Sequence, residues 1–239
     1  MSLGVARFSV HKGLQIGNFF EVEHNHPRDV GVVAAAYPNA QFIIYHSAID
    51  AGLATQAPPE GPYDPMEANP TSVNALIRSL VDNGIQPGQN VYAEIGTTID
   101  RLMTNPTAAA HFFGKLMLYV GVDNIVWGTD CVIGGSPQGR IEWFRTLTIP
   151  DSMQQQFGYQ PLDATAKAKI FGLNAARLYG IDTAAMRCHV NSCGMADLKR
   201  HFDEEYGGRR WMFQTPGGPK TWEEYVEHSE RARKLGRPG

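Results

Sequence analysis

Three short apolar runs in this chain each end on a side chain able to hold a metal or move a proton. Phe8-Ser9-Val10 runs into His11, Gln41-Phe42-Ile43-Ile44-Tyr45 into His46, and Asn124-Ile125-Val126-Trp127-Gly128-Thr129 into Asp130. A fourth run, Asn90–Ile95, carries Glu94 next to its end. Imidazole nitrogen and carboxylate oxygen satisfy a divalent ion such as zinc, and a catalytic zinc keeps one position open for a water that ionises near neutral pH. A single histidine at a strand end is more often a polar residue bonded to loop backbone. Three such residues in the same context make a shared site the better reading. His11, His46 and Asp130 are therefore the expected metal ligands, with zinc as the expected metal. Glu94 stays open between orienting a ligand, binding substrate and lying as a solvated rim residue.

Those side chains need a frame that brings strand ends together, and the spacing of apolar residues supplies one. Strands are expected over Val5–Val10, Gln41–Tyr45, Asn90–Ile95 and Asn124–Trp127, as short β-rich apolar runs. Helices are expected near Asp29–Tyr37, from Thr71 or Ser72 to Asn83, and near Pro106–Val120, Pro137–Leu147 and Asp163–Leu178. Gly13–Pro27 reads as a loop, and Ala51–Pro70, with five prolines and three acidic residues, as a long surface loop over a strand end. Strand–helix alternation implies a parallel sheet. His11 to His46 is 35 residues and Glu94 to Asp130 is 36, about one βα unit of an eight-unit barrel of ~250 residues. Only ten residues precede His11, so about four units, the C-terminal half of such a barrel, are expected.

The expected organisation is a partial barrel over residues 1–181 and a helical C-terminal extension over 182–239. The extension offers a helix over Met195–Tyr206 and another opened by the capping box Thr221 and Glu224. Trp211, Phe213 and Trp222 are its expected apolar anchors, and Cys188-His189 with Cys193 reads as structural or exposed rather than as a zinc site. With 21 basic against 24 acidic residues, no nucleic-acid or anionic-membrane partner is expected. Apolar runs break too early for a membrane span. Three cysteines and no leader pattern point to the cytoplasm.

Val10-His11-Lys12-Gly13, Phe42 to His46, Trp127-Gly128-Thr129-Asp130 and Lys169-Ile170-Phe171-Gly172-Leu173-Asn174-Ala175-Ala176-Arg177-Leu178-Tyr179 resemble the later strands and closing helix of the amidohydrolase superfamily. More narrowly, they are similar to its amidohydrolase-related branch of hydrolases and aromatic-acid decarboxylases. Gly135-Ser136-Pro137-Gln138 strengthens the likeness, which covers about Ala6–Ile181. It implies a metal-dependent (β/α)₈ barrel in which His11 and His46 bind metal or substrate, and Asp130 binds metal and moves the proton. The family's first-strand His-x-His pair has no counterpart within a strand. His24-Asn25-His26, followed by Pro27, reads as polar loop in preference to a substitute ligand pair. Lys12, adjoining His11, is expected outside the pocket because neighbouring strand residues face opposite sides.

The implied function is a metal-dependent hydrolase acting on a carbonyl, amide or ester of a small molecule. The alternatives are a non-oxidative decarboxylase of the same family and a catalytically inactive half-barrel that binds a partner. Half a barrel also implies exposed inward faces at Val10, Ile44 and Val126, and hence a homo-oligomer or a separately encoded N-terminal half as partner.

Overall fold

Four strands pair in sequential order, β1 (Arg7–His11), β2 (Gln41–Tyr45), β3 (Val91–Glu94) and β4 (Ile125–Val126), and every pairing is parallel. The computed structural model describes residues 4–13, 22–50, 59–131, 137–186 and 194–205. Among these, α1 (Val22–Asn25) and α2 (Val30–Ala36) lead into β2, α3 (Ser72–Asp82) into β3, and α4 (Thr98–Leu102) and α5 (Pro106–Leu116) into β4. After β4 come α6 (Gln138–Thr146), α7 (Asp151–Phe157), α8 (Ala164–Ala168), α9 (Asn174–Tyr179) and α10 (Gly194–Glu205). The architecture is α/β, as the strand–helix alternation requires. The second half of the extension, with Trp211, Phe213, Trp222 and the Thr221 capping box, lies outside the described residues. So do Cys188, His189 and Cys193.

Register assigns each strand residue to a face. Phe42 pairs with Val91, Ile44 with Ala93 and Ala93 with Ile125, and this face meets the helices. There α3 contributes Val73, Leu76, Ile77 and Leu80, and α5 contributes Phe112, Phe113 and Leu116. The α3 residues recur at positions i, i+3, i+4 and i+7, the stripe that lays one helical face on a core. Each such side chain, fully buried, contributes about 1.5–3 kcal/mol.

The opposite face corrects one expectation. Ile44 is fully buried in the helix-side core, and Val10 packs against that same core. Val126 does lie on the other face, but with Ile43 and Tyr92 it sits beneath Leu178 and Ala175, and is 5% exposed. None of the three leaves an aliphatic face open. Runs buried on both sides carry no period by which the sequence alone could tell one face from the other. The exposed large apolar side chains of the described strands are Phe8 of β1 and Tyr45 of β2, with Val5 just before β1.

The cover over Val126 is fixed by the closing segment. Asn174 Nδ2 donates to Val122 O (2.8 Å) and Ile125 O (2.7 Å), and Lys169 Nζ meets Asp123 Oδ1 at 2.9 Å. Arg177 Nη2 donates to Asp123 O. These bonds hold the start of β4 and set Leu178 over the sheet. A two-residue strand such as β4 depends on that support.

The proline-rich loop is pinned rather than loose over its described part, residues 59–70. Lys115, fully buried, ion-pairs with Glu60 and donates to Gly61 O (3.0 Å) and Asn74 Oδ1 (2.7 Å). Ser72 Oγ also donates to Glu60. Three helices are additions to the sequence reading: α1, α4 and α7. The first two have four and five residues, too short to show a period, and the seven-residue α7 offers only Met153 and Phe157, which pack partly buried against the core.

Candidate functional site

The C-terminal ends of β1, β2 and β4 bring His11, His46 and Asp130 together. His11 is the last residue of β1, and His46 follows the last residue of β2. Their rings meet edge to face with centroids 4.7 Å apart. Asp130 Oδ2 lies 3.4 Å from His46 Nδ1 and accepts a hydrogen bond from Thr97 Oγ1 at 2.6 Å. The carboxylate is about half exposed, while His46 is buried.

The ring nitrogens are differently engaged. His46 Nδ1 lies 2.8 Å from Gly96 O, a carbonyl that can only accept, so Nδ1 carries a proton and the neutral ring has its lone pair on Nε2. His11 Nδ1 lies 3.2 Å from Asn25 Oδ1. Burial pushes the His11 imidazole below its ordinary 6.5 and His46 adds to this, against the opposing pulls of Asn25 and Asp130.

Glu94 is the staple beneath the site. Its Oε2 accepts from the backbone N–H of His46 (3.1 Å) and its Oε1 from that of Gly96 (2.6 Å). Burial pushes the Glu94 carboxyl above its ordinary 4.5, although both amide bonds favour the ionised form. A Cβ at Gly128 would fall 1.6 Å from Glu94 Oε1, and one at Gly96 would fall 2.6 Å from the same atom and 3.2 Å from Asp130 Oδ2. Two glycines thus make the space in which one carboxylate ties the loops after β2 and β3. Ser47 Oγ to Glu94 O (2.9 Å) and Thr98 Oγ1 to His46 O (3.2 Å) complete the tie.

That tie supports backbone strain. His46, Ser47 and Ala48 have φ of 57°, 52° and 58°, Thr97 has 57° and Asp130 has 51°. A non-glycine residue held in this left-handed region costs about 1–3 kcal/mol. The loops carrying the site are therefore held by contacts, not by local preference. Arg140 adds the last of these, a two-pronged pair with Asp100 (2.5 and 2.6 Å) plus a bond from Nη1 to Cys131 Sγ at 2.9 Å.

The other polar candidates do not join the cluster. Lys12 Nζ donates to His24 O (2.8 Å) and pairs with Asp29 Oδ2 (2.8 Å), so it holds the loop after β1. His26 Nδ1 accepts from Arg28 N at 3.2 Å and caps the short helical turn Pro27–Asp29. Asn25, Thr97, Gly96 and Gly128 went unread in the sequence. The one signal for the glycines was their place immediately after strands.

Two imidazoles and a carboxylate have the donor chemistry of a zinc site. Their disposition does not complete one. Asp130 faces the Nδ1 edge of His46, already taken by Gly96 O, and among the described residues no group of three or more His, Cys, Asp or Glu side chains is placed to hold a metal ion.

Two solved structures are similar to this chain. One is 2,6-dihydroxybenzoate decarboxylase from Rhizobium, with 14% identity and a TM-score of 0.37, over 74% of this chain and 51% of that one. The other is 2,6-dihydroxybenzoate decarboxylase complexed with 2,6-dihydroxybenzoate, with 13% identity, the same TM-score and the same coverage. The chain thus spans about half the length of these relatives. No curated protein matches it. The sequence profile of the amidohydrolase family matches residues 7–181, from the first residue of β1 to just past α9. That stretch holds the whole sheet and all three clustered side chains, and by it the chain belongs to the amidohydrolase family.

Proposed function

We propose that this chain carries the late-strand portion of an amidohydrolase active site and hydrolyses an amide or ester of a small molecule. The observation that supports this reading is the convergence of His11, His46 and Asp130 at the C-terminal ends of three parallel strands, the end of a βα sheet where ligands bind. Both described contacts of Asp130 use Oδ2, so Oδ1 is the oxygen left to take a proton. In the proposed reaction Oδ1 accepts a proton from the attacking water as the new C–O bond forms. It returns that proton to the leaving nitrogen or oxygen as the scissile bond breaks. The Thr97 hydroxyl, donating to Oδ2, keeps the carboxylate oriented through both transfers. A positioned acid–base group of this kind contributes about 10²–10⁴ in rate.

Members of the family are generally metal-dependent, and zinc is the ion we propose. A cytoplasmic setting, part of the same proposal, fits the low cysteine count. Among the described residues no helix is long and apolar enough to cross a membrane. The test is turnover of a panel of nitrophenyl esters and nitroanilides by the zinc-supplemented chain, with hydroxybenzoates as a second panel. Release of nitrophenol or nitroaniline that depends on Asp130 supports hydrolysis. Carbon dioxide from the hydroxybenzoates would replace it with decarboxylation, and no turnover of either panel would leave a partner-binding half-barrel.

A further inference from the structure

We propose that Asn25 is a positioning residue for His11, fixing its neutral ring as the Nδ1–H tautomer so that the lone pair resides on Nε2. The inference deepens the functional reading above and rests on it for its catalytic meaning, though its geometry stands without it. Asn25 is 4% exposed, and its Oδ1 lies 3.2 Å from His11 Nδ1. An amide oxygen can only accept, so a bond at this distance requires the proton on Nδ1. Among the described residues the Asn25 amide nitrogen has no hydrogen-bond partner. In this orientation of the amide, the oxygen is the end that meets the His11 ring.

The frame around the pair is fixed from several sides. Gly13 N donates to Asn25 O at 2.8 Å, so the loop returns onto the residue that follows Lys12. Lys12 Nζ binds the carbonyls on both sides of Asn25, those of His24 (2.8 Å) and His26 (3.5 Å). Gly13 itself sits at φ 72° where a Cβ would fall 2.2 Å from Ala48 O, which ties this loop to the turn that carries His46. The three residues His24-Asn25-His26 thus serve the site through the middle one. Both histidines' carbonyls are handles for Lys12, and the asparagine reaches His11.

His46 has the same arrangement by a different route, with Nδ1 donating to Gly96 O. Both imidazoles then present Nε2 as acceptor. A solvated histidine favours the opposite tautomer, Nε2–H, so the choice at His11 must be imposed by its surroundings. An orienting acceptor on the second ring nitrogen is the general means of imposing it.

Long-range proton–nitrogen correlation spectra of the full chain, labelled at histidine and recorded where the ring is neutral in every variant, read the tautomer directly. His11→Gln assigns the His11 signals by their loss. In wild type, Nδ1 should show the protonated and Nε2 the unprotonated nitrogen signature. In Asn25→Ala the ring should shift to predominantly Nε2–H, and Asn25→Asp, which keeps an acceptor in place, should restore Nδ1–H. A wild-type ring in the Nε2–H form overturns the proposal, because it means that the amide presents its nitrogen to His11. An Asn25→Ala ring unchanged from wild type also overturns it, and the wild-type spectrum decides alone if that variant fails to fold. Turnover plays no part in this readout. A chain that hydrolyses nothing yet shows Nδ1–H would sink the functional reading and leave this one standing.

Discussion

Replacing Gly128 by alanine tests the staple under the site with a single methyl group. The new Cβ would lie 1.6 Å from Glu94 Oε1, 2.8 Å from its Cδ and 3.2 Å from Gly96 N, so the carboxylate must leave its place. Leaving costs the two charge-assisted bonds from the His46 and Gly96 amides, each worth about 1.5–3 kcal/mol. The sum is about 3–6 kcal/mol against a typical net stability of about 5–15 kcal/mol. For a domain of this size 1 kcal/mol moves the melting temperature by about 2–4 °C, so a drop of about 6–24 °C is expected. Gly172→Ala is the control. Nothing lies within 4 Å of its added Cβ, it sits within a helical segment, and the change should be neutral or stabilise by about 0.5–1 kcal/mol. Thermal unfolding gives both values, and amide exchange at His46 and Gly96 shows whether the loss is local. A Gly128→Ala chain melting within 2 °C or so of wild type, with those two amides still protected, would refute the staple.

Three further outcomes follow from the same geometry. Burial pushes the Lys115 ammonium below its ordinary 10.5 despite Glu60, so between the lowered pKa and 10.5 the unfolded chain binds more protons and stability rises with pH. Lys115→Met should flatten that rise in denaturant titrations while costing about 3–5 kcal/mol near neutrality through the stranded Glu60. The comparison is made below pH 10, because Tyr159, pushed up to about 12 from 10.0 by burial, gives the opposite slope above it; equal slopes in both proteins would contradict the buried-lysine account. His46→Ala and Asp130→Ala should each abolish zinc uptake, and elemental analysis finding equal metal in wild type and both variants would remove them from the ligand set. Among the described residues β1 pairs with β2 alone, and its other edge, with Phe8 exposed, should pair two copies of the chain; a monomeric mass by light scattering would argue against that assembly.

Strand positions and site carboxylates were unequally legible. The second strand, Gln41–Tyr45, stands where its apolar run ends on polar neighbours, and the three side chains at strand tips converge as their shared context implied. The fourth strand is shorter than its apolar run, because Trp127 and Gly128 leave the sheet. Trp127 packs on Phe144 and Phe171, and Gly128 makes room for Glu94. What stayed hidden shares one physical character. Glu94 binds an amide 48 positions earlier, Thr97 a carboxylate 33 positions later, and Asn25 an imidazole 14 positions earlier. These are long-range bonds made by single polar atoms, and neither period nor spacing records them. The face of Ile44 was misjudged for a related reason, since a fully buried strand is apolar on both sides.

The central claim is that Asp130, held by Thr97, moves the proton in a hydrolytic reaction at the ends of these strands. Steady-state hydrolysis by wild type and Asp130→Asn, measured with the thermal transition of each, tests it most directly. The account predicts measurable turnover in wild type and a fall of about 10²–10⁴ in kcat for the variant, with the melting temperature little changed. An Asp130→Asn chain that hydrolyses its substrate at the wild-type rate would contradict it.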